Sequence, residues 1–204
     1  MSSPEYEEQF ELDLLRKRAF KARDTLFQLL QDRGYEVKKT YLKVSTVLPK
    51  ANELYLEGDS DRLGRIGVFW SLEDKYRMEE ARSLILALEE KQLKRAILMT
   101  PEGEFTSTTK DVLLDLMKNK KISLQMFTFD ELQYNPIQHT LVPKYKILSE
   151  EEKELLKESY MLNDLQQLPV LAYSDIFSRY LGLSPNTVVQ FFRRDGSMSY
   201  RIVL

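Results

Sequence analysis

Between Ile66 and Met126 the sequence switches repeatedly between two periods, and this constrains the fold more than any other feature. Ile66 to Trp70 is a short β-prone run, after which Met78, Ala81, Leu84, Ile85 and Leu88 step by three and four as one helix face. Arg95 to Met99 is a second apolar run, and Val112, Leu113, Leu116 and Met117 make a second helix face. Ile122, Leu124 and Met126 then alternate with Ser123 and Gln125, the period of a half-buried strand. Strand–helix–strand–helix–strand with crossovers of this length predicts a parallel, right-handed α/β sheet. No glycine-rich phosphate loop follows either strand, so nucleotide binding finds no support.

Ahead of this unit, Leu12, Leu15, Ala19, Ala22, Leu26 and Leu29 lie on one stripe of a long amphipathic helix that stops at Gly34. Arg16, Lys17, Arg18, Lys21 and Arg23 are read as its opposite face, which can meet phosphates but is more simply a solvated surface. The stretch from Tyr35 to Gly64 has no assignable period. After Gln133–Gln138, where Pro136 interrupts, the character of the text changes, so domains are expected at 1–135 and 136–204. In the second piece His139 to Pro143 reads as extended and Ser149 to Tyr160 as a helix opened by a Ser149/Glu152 capping box. Ser174 to Leu181 reads as a short helix ended by Gly182. Val188 to Phe192 and Ser199 to Val203 are strands joined at Asp195-Gly196.

Composition removes much of the available chemistry. Cysteine is absent, which excludes disulfides, zinc–cysteine sites, iron–sulfur clusters and thiol nucleophiles, and fits a reducing compartment. His139 is the only histidine, so a triad or a histidine-based zinc site has almost no supply. Thirty basic against 32 acidic side chains give a formal charge of −2, unlike a polybasic nucleic-acid arm. No apolar run approaches the roughly 18 residues of a membrane span, and Met1 to Phe10 is too acidic for a signal peptide.

Two chemical motifs compete with plainer readings. Residues 175–190 are written like a helix-turn-helix: a helix, the Gly182 turn, then Ser184-Pro185-Asn186-Thr187 in the position of a second helix cap. The would-be recognition helix is Val188, Val189, Gln190, Phe191 and Phe192, which is β-prone and apolar where a reader needs polar side chains, so a strand is predicted there. A DNA-binding transcription regulator remains the alternative. Glu73-Asp74-Lys75 has the spacing of a Mg²⁺-dependent nuclease, yet no Pro-Asp precedes it at a fitting distance, and Glu57, Asp59 and Asp61 read as an acidic loop. His139 is expected to pin the start of the second domain.

The run His139-Thr-Leu-Val-Pro-Lys144, Leu148 to Leu156, Gln167-Leu-Pro169, Ser178 to Leu183, Val188-Val189 and Tyr200 to Val203 resembles the assembly domain of the fifth shared subunit of eukaryotic nuclear RNA polymerases, whose archaeal counterpart consists of this domain alone. Arg23 to Val37, Gly67-Val-Phe-Trp70, Lys94 to Leu98 and Thr106 to Lys110 resemble the eukaryotic protein's jaw domain, so the likeness runs over nearly the whole chain. It implies an α/β N-terminal jaw domain, a three-layer sheet with helices similar to restriction endonucleases but without their active site. A small α+β C-terminal assembly domain follows. It implies a non-catalytic subunit of a DNA-directed RNA polymerase, without cofactor, membrane or small-molecule substrate. The partners implied are the largest subunit, other polymerase subunits and downstream DNA held without regard to sequence. Carried onto this chain, the DNA-proximal residues are Thr106, Ser107, Thr108 and Lys110, with Arg23. The partner interface is His139, Leu141, Val142, Pro143, Leu168, Pro169, Arg179, Tyr180, Arg193, Tyr200 and Arg201. The chain departs from the family pattern at Asp175-Ile176, where Asp-Pro is usual, at Ser107 in place of a proline, and in a shortened loop between Arg193 and Tyr200. Such divergence implies a polymerase of a large cytoplasmic DNA virus of the African swine fever virus type. The expected location is then host cytoplasm and virion, against the nucleus for a cellular subunit.

Overall fold

A computed structural model describes residues 4–37, 50–73, 75–103 and 105–204. Asp74 of the nuclease-like triplet and residues 38–49 of the unassigned stretch lie outside them. The chain divides into two compact units, Met1–Tyr134 and Asn135–Leu204.

The first unit opens with helix α1 (Pro4–Asp32), which begins well before the stripe read from sequence. Gly34 then takes φ +86°, a left-handed turn that glycine adopts without steric cost. Strand β1 (Glu36–Val37), the one-turn helix α2 (Ala51–Leu54) and strand β2 (Leu56–Asp59) follow. Next come β3 (Ile66–Trp70), α3 (Met78–Glu90), β4 (Arg95–Thr100), α4 (Ser107–Asn119) and β5 (Ser123–Thr128). The sheet order is β1-β2-β3-β4-β5. β3, β4 and β5 run parallel, as expected from their crossovers, while β1 and β2 extend the sheet antiparallel.

Side-chain alternation places helices on both faces of this sheet. Leu84, Leu88 and Leu113 of α3 and α4 pack with Ala96, Leu98 and Leu124 on one face. Gln125, which points to the other face, accepts a hydrogen bond from Arg33 Nη2 at 2.7 Å just past the end of α1. Ala19, Ala22, Leu26, Leu29 and Leu30 of α1 are fully buried, and the Trp70 and Phe129 rings meet at 5.4 Å. The result is a three-layer unit in which β4 is buried from Ala96 to Thr100.

The second unit contains β6 (Lys144–Ile147), α5 (Glu150–Ser159), β7 (Val170–Leu171), α6 (Ile176–Leu181), β8 (Val188–Phe192) and β9 (Met198–Val203). Its sheet order is β6-β8-β9-β7, with β7 parallel to β9 and the other pairs antiparallel. The Ser149/Glu152 capping box is present, and Gly182 ends α6 at φ +65°. Val188 to Phe192 is a strand paired on both sides, with Val188 and Val189 fully buried, so no recognition helix exists there. His139 to Pro143 departs from the extended reading. It is a turn, closed by Val142 N–H donating to His139 O at 2.9 Å, because the His139 ring Nδ1 also takes the Leu141 N–H at 3.3 Å. Among the described residues no helix is long and apolar enough to cross a membrane.

Candidate functional site

The β8–β9 register builds a groove in the second unit. Val189 pairs with Arg201 and Phe191 with Ser199, so these side chains share one face, and Arg193 follows two residues beyond Phe191 on the same side. The groove holds about 230 Å³, floored by Phe177 and Phe191 and walled by Leu141, Val142, Pro143, Arg193 and Arg201. The 139–142 turn presents Leu141, which is 81% exposed. Arg194 braces that turn by donating to Thr140 O at 2.7 Å. Phe177 and Phe191 lie 5.5 Å apart, and Tyr145 meets Phe177 edge-on at 5.0 Å, so the floor is stiff and aromatic. Arg193 and Arg201 form no salt bridge among the described residues, leaving two guanidinium groups at the lip of an apolar floor. Such an arrangement has the chemistry to receive a bulky apolar group flanked by carboxylates.

Five of the interface residues expected from sequence thus come together: Leu141, Val142, Pro143, Arg193 and Arg201. Others do not. Tyr180 is fully buried, because α6 turns it inward one turn after Phe177, so it serves the core and not a surface. Tyr200 stands on the opposite sheet face, where it pairs across from Gln190 and accepts from Gln190 Nε2 at 3.1 Å. Burial first, then the neighbouring Tyr160, raises its pKa. Leu168 packs against Leu148 and Ile202, Arg179 is half-buried, and exposed Pro169 lends its carbonyl to Ile202 N–H at 3.0 Å. His139 shapes the turn and does not line the groove. Phe177, Phe191 and Ser199 line it as well, Phe177 and Phe191 being core residues whose edges reach the groove; the period-two pairing with Arg201 is the sequence signal for Phe191 and Ser199.

In the first unit Thr106, Ser107, Thr108 and Lys110 are exposed at the start of α4. The helix begins at Ser107, so Thr108 and Thr109 lie inside its first turn, just past Thr106. Thr106 Oγ1 accepts from Thr109 N–H at 3.4 Å and lies 2.6 Å from Thr109 Oγ1 and 3.3 Å from Thr108 Oγ1. Phe105 meets Tyr76 edge-on at 5.6 Å and holds this end of the helix against α3's N-terminal approach. Arg23 corrects the solvated-face reading. It is only 7% exposed, being one turn from both Ala19 and Leu26 on the buried stripe, and burial depresses its pKa. Arg18 is likewise engaged, donating Nε and Nη2 to the Asp130 carboxylate at 2.9 and 2.8 Å. Glu73 and Lys75 are exposed, and among the described residues no three His, Asp or Glu side chains gather to hold a metal ion.

Residues 134–203 match the family described as RNA polymerase Rpb5, C-terminal domain. Over 179 residues, 86% of this chain and 90% of the relative, the sequence is 31% identical to the DNA-directed RNA polymerases I, II, and III subunit rpabc1 of Dictyostelium discoideum. It is 27% identical over 206 residues to the RPABC1 subunit of Caenorhabditis briggsae, covering 92% of this chain and 96% of that one. It is also 27% identical over 194 residues to DNA-directed RNA polymerase subunit 5-like protein 1 of Arabidopsis thaliana, covering 88% of this chain and 90% of that one. The chain belongs to the RPABC1 (Rpb5) family of DNA-directed RNA polymerase subunits.

Proposed function

We propose that this chain is a non-catalytic subunit of a multisubunit DNA-directed RNA polymerase that anchors on the largest subunit through the Phe191 groove. The observation that carries this reading is the pair Arg193 and Arg201 over an aromatic floor, inside the segment that matches the Rpb5 C-terminal domain. The first unit, Met1–Tyr134, acts as the lower jaw beside downstream DNA. Its three-layer sheet supports a restriction-endonuclease-like ancestry in which the Glu73-x-Lys75 spacing survives as architecture. Thr106, Ser107, Thr108 and Lys110 touch backbone phosphate through hydroxyls, helix N–H groups and one ammonium, without reading bases. Divergence at Ser107, Ile176 and the Arg193–Tyr200 loop supports a viral polymerase of the African swine fever virus type, working in host cytoplasm and packaged in the virion. Immunolocalisation in producing cells tests that last point, and a nuclear signal refutes it.

The assembly role is tested by pulling down tagged protein from cells that make it natively, in high salt, followed by mass spectrometry. The wild type should recover the two largest polymerase subunits in equal amounts, and Arg193→Glu with Arg201→Glu should lower that recovery about ten-fold or more. Undiminished recovery by the double variant removes the groove from the interface. Recovery of the protein alone, with DNA that washes off as salt rises, removes the subunit reading.

A further inference from the structure

The four-stranded sheet carries a second concavity, on the face opposite the Phe191 groove. It holds about 220 Å³ between α5 and strands β8 and β9, floored by Leu148 and Leu156. Tyr160 and Tyr200 wall it, their rings edge-on at 5.6 Å. Two apolar side chains that line it stand open to solvent, Leu155 62% and Tyr160 57% exposed, and Met161, next in the chain after Tyr160, is 91% exposed. Met161 also takes φ +51°, the left-handed position that ends α5 by Leu162 N–H donating to Lys157 O at 2.9 Å. Glycine fills such a position without strain, so a methionine there presents its side chain to solvent at a cost to the backbone.

The charges around this mouth specify what covers it. Of the five glutamates on α5, Glu150, Glu152 and Glu154 each meet a lysine: Lys153, Lys146 and Lys157. Glu151 and Glu158 form no salt bridge among the described residues. They stand four residues before and three residues after Leu155, each its neighbour on the same face of the helix. An exposed apolar anchor is thus bracketed by two uncompensated carboxylates. We infer that this face docks a basic amphipathic segment of a second protein, one bulky apolar side chain seating against Leu155, Tyr160 and Met161 while flanking Lys or Arg side chains meet Glu151 and Glu158. The same carboxylates repel nucleic-acid phosphate. The surface is separate from the proposed assembly groove, since it lies across the sheet from Arg193 and Arg201.

Photo-crosslinking tests it. p-Benzoylphenylalanine is placed at Leu155, and separately at Met161, in the full chain expressed in cells that make it natively, and the adducts are sequenced. Both positions should label one segment of one protein, with Lys or Arg on both sides of a bulky apolar residue. Glu151→Lys with Glu158→Lys should cut the adduct about ten-fold, while recovery of the large polymerase subunits and the circular dichroism spectrum stay unchanged. Met161→Gly should lower the Leu155 adduct with an unchanged or raised Tm, which separates a lost anchor from a lost fold. Labelling of DNA, of a second copy of this chain or of a segment without basic residues overturns the inference. So does the absence of any adduct, or one indifferent to the charge reversals. Failure of the assembly reading shows separately, as wild-type protein that recovers no polymerase subunits.

Discussion

The two sheets of this chain are finished to different degrees. In β4 every residue from Ala96 to Thr100 is buried, with α3 and α4 packed on one face and α1 on the other. In β6 none of Lys144 to Ile147 is buried, and β9 buries only Ile202 and Val203 of its six. The first sheet encloses its central strand within the chain. The second leaves Leu141, Val170, Phe192 and Met198 open, each more than a third exposed. A short sheet with a bare edge strand and open faces is either an aggregation hazard or half of an interface. The difference teaches where a sheet is left open to a partner: β6 of the second sheet is a bare edge strand, whereas β4 of the first is enclosed.

The contrast is broken most forcefully in the buried sheet. Leu98 is 1% exposed in the α3–α4 core, and Leu98→Ala should cost about 3 kcal/mol through lost burial and a residual cavity. Denaturant unfolding checks this as a lower midpoint at unchanged slope. A cost near zero would mean that this sheet is no more closely packed than its neighbour. Exposed Ile147 supplies the matching control, since Ile147→Ser in the bare edge strand should stay within about 0.5 kcal/mol.

Much of this architecture was legible because long elements repeat their period. The β3-α3-β4-α4-β5 succession spans enough turns for three- and four-residue steps to separate from alternation. The strand at Val188 was legible because two valines followed by two phenylalanines suit a pleated sheet and not a recognition helix. What escaped was short or was a matter of facing. β1 has two residues and β2 four, too few to show a period, so the antiparallel extension was invisible. Tyr200 and Arg201 are neighbours in sequence and were grouped as one interface, yet pleating sends them to opposite faces. Arg23 was counted with Lys17 and Lys21 by its charge, although its spacing from Ala19 and Leu26 puts it on the buried stripe. The groove itself needed tertiary information, because the turn at Leu141 and the strand at Phe191 are brought together only by the sheet.

A smaller effect belongs to α5, which packs on one face of the second sheet. Ser149 Oγ accepts from Glu152 N–H at 3.3 Å while the Glu152 carboxylate accepts from Ser149 N–H at 3.1 Å. Ser149→Ala should cost about 1 kcal/mol, read as a drop of a few degrees in Tm. Since Leu156 of α5 packs on Val188 and Ile202, the loss should be felt in the second unit and leave the first untouched. Amide hydrogen exchange resolves the two, and equal loss of protection in both units would show that they unfold as one.

The smallest effect is electrostatic and has a definite sign. Glu152 is held below its ordinary value of 4.5, first by the hydrogen bond from Lys146 and then by the Ser149 N–H. Its carboxylate is therefore favoured more in the folded chain than in the unfolded one. A group depressed in this way contributes stability above its unfolded pKa and loses that contribution as pH falls through its folded value. The contribution is intact at neutral pH and fades from about pH 4.5 downward. Glu152→Gln keeps a side chain able to accept the Ser149 N–H but has nothing to titrate and no charge for Lys146. Its Tm at pH 7 should fall slightly, and its further fall on acidification to pH 3 should be smaller than in the wild type. Asp195, depressed by the Ser197 hydroxyl at the β8–β9 turn, still titrates in that variant, so the acid dependence should shrink and not vanish. Parallel Tm-versus-pH curves for the two proteins would mean that the Lys146–Glu152 pair is as loosely held as the edge strand it stands on, and that solvent has already screened it.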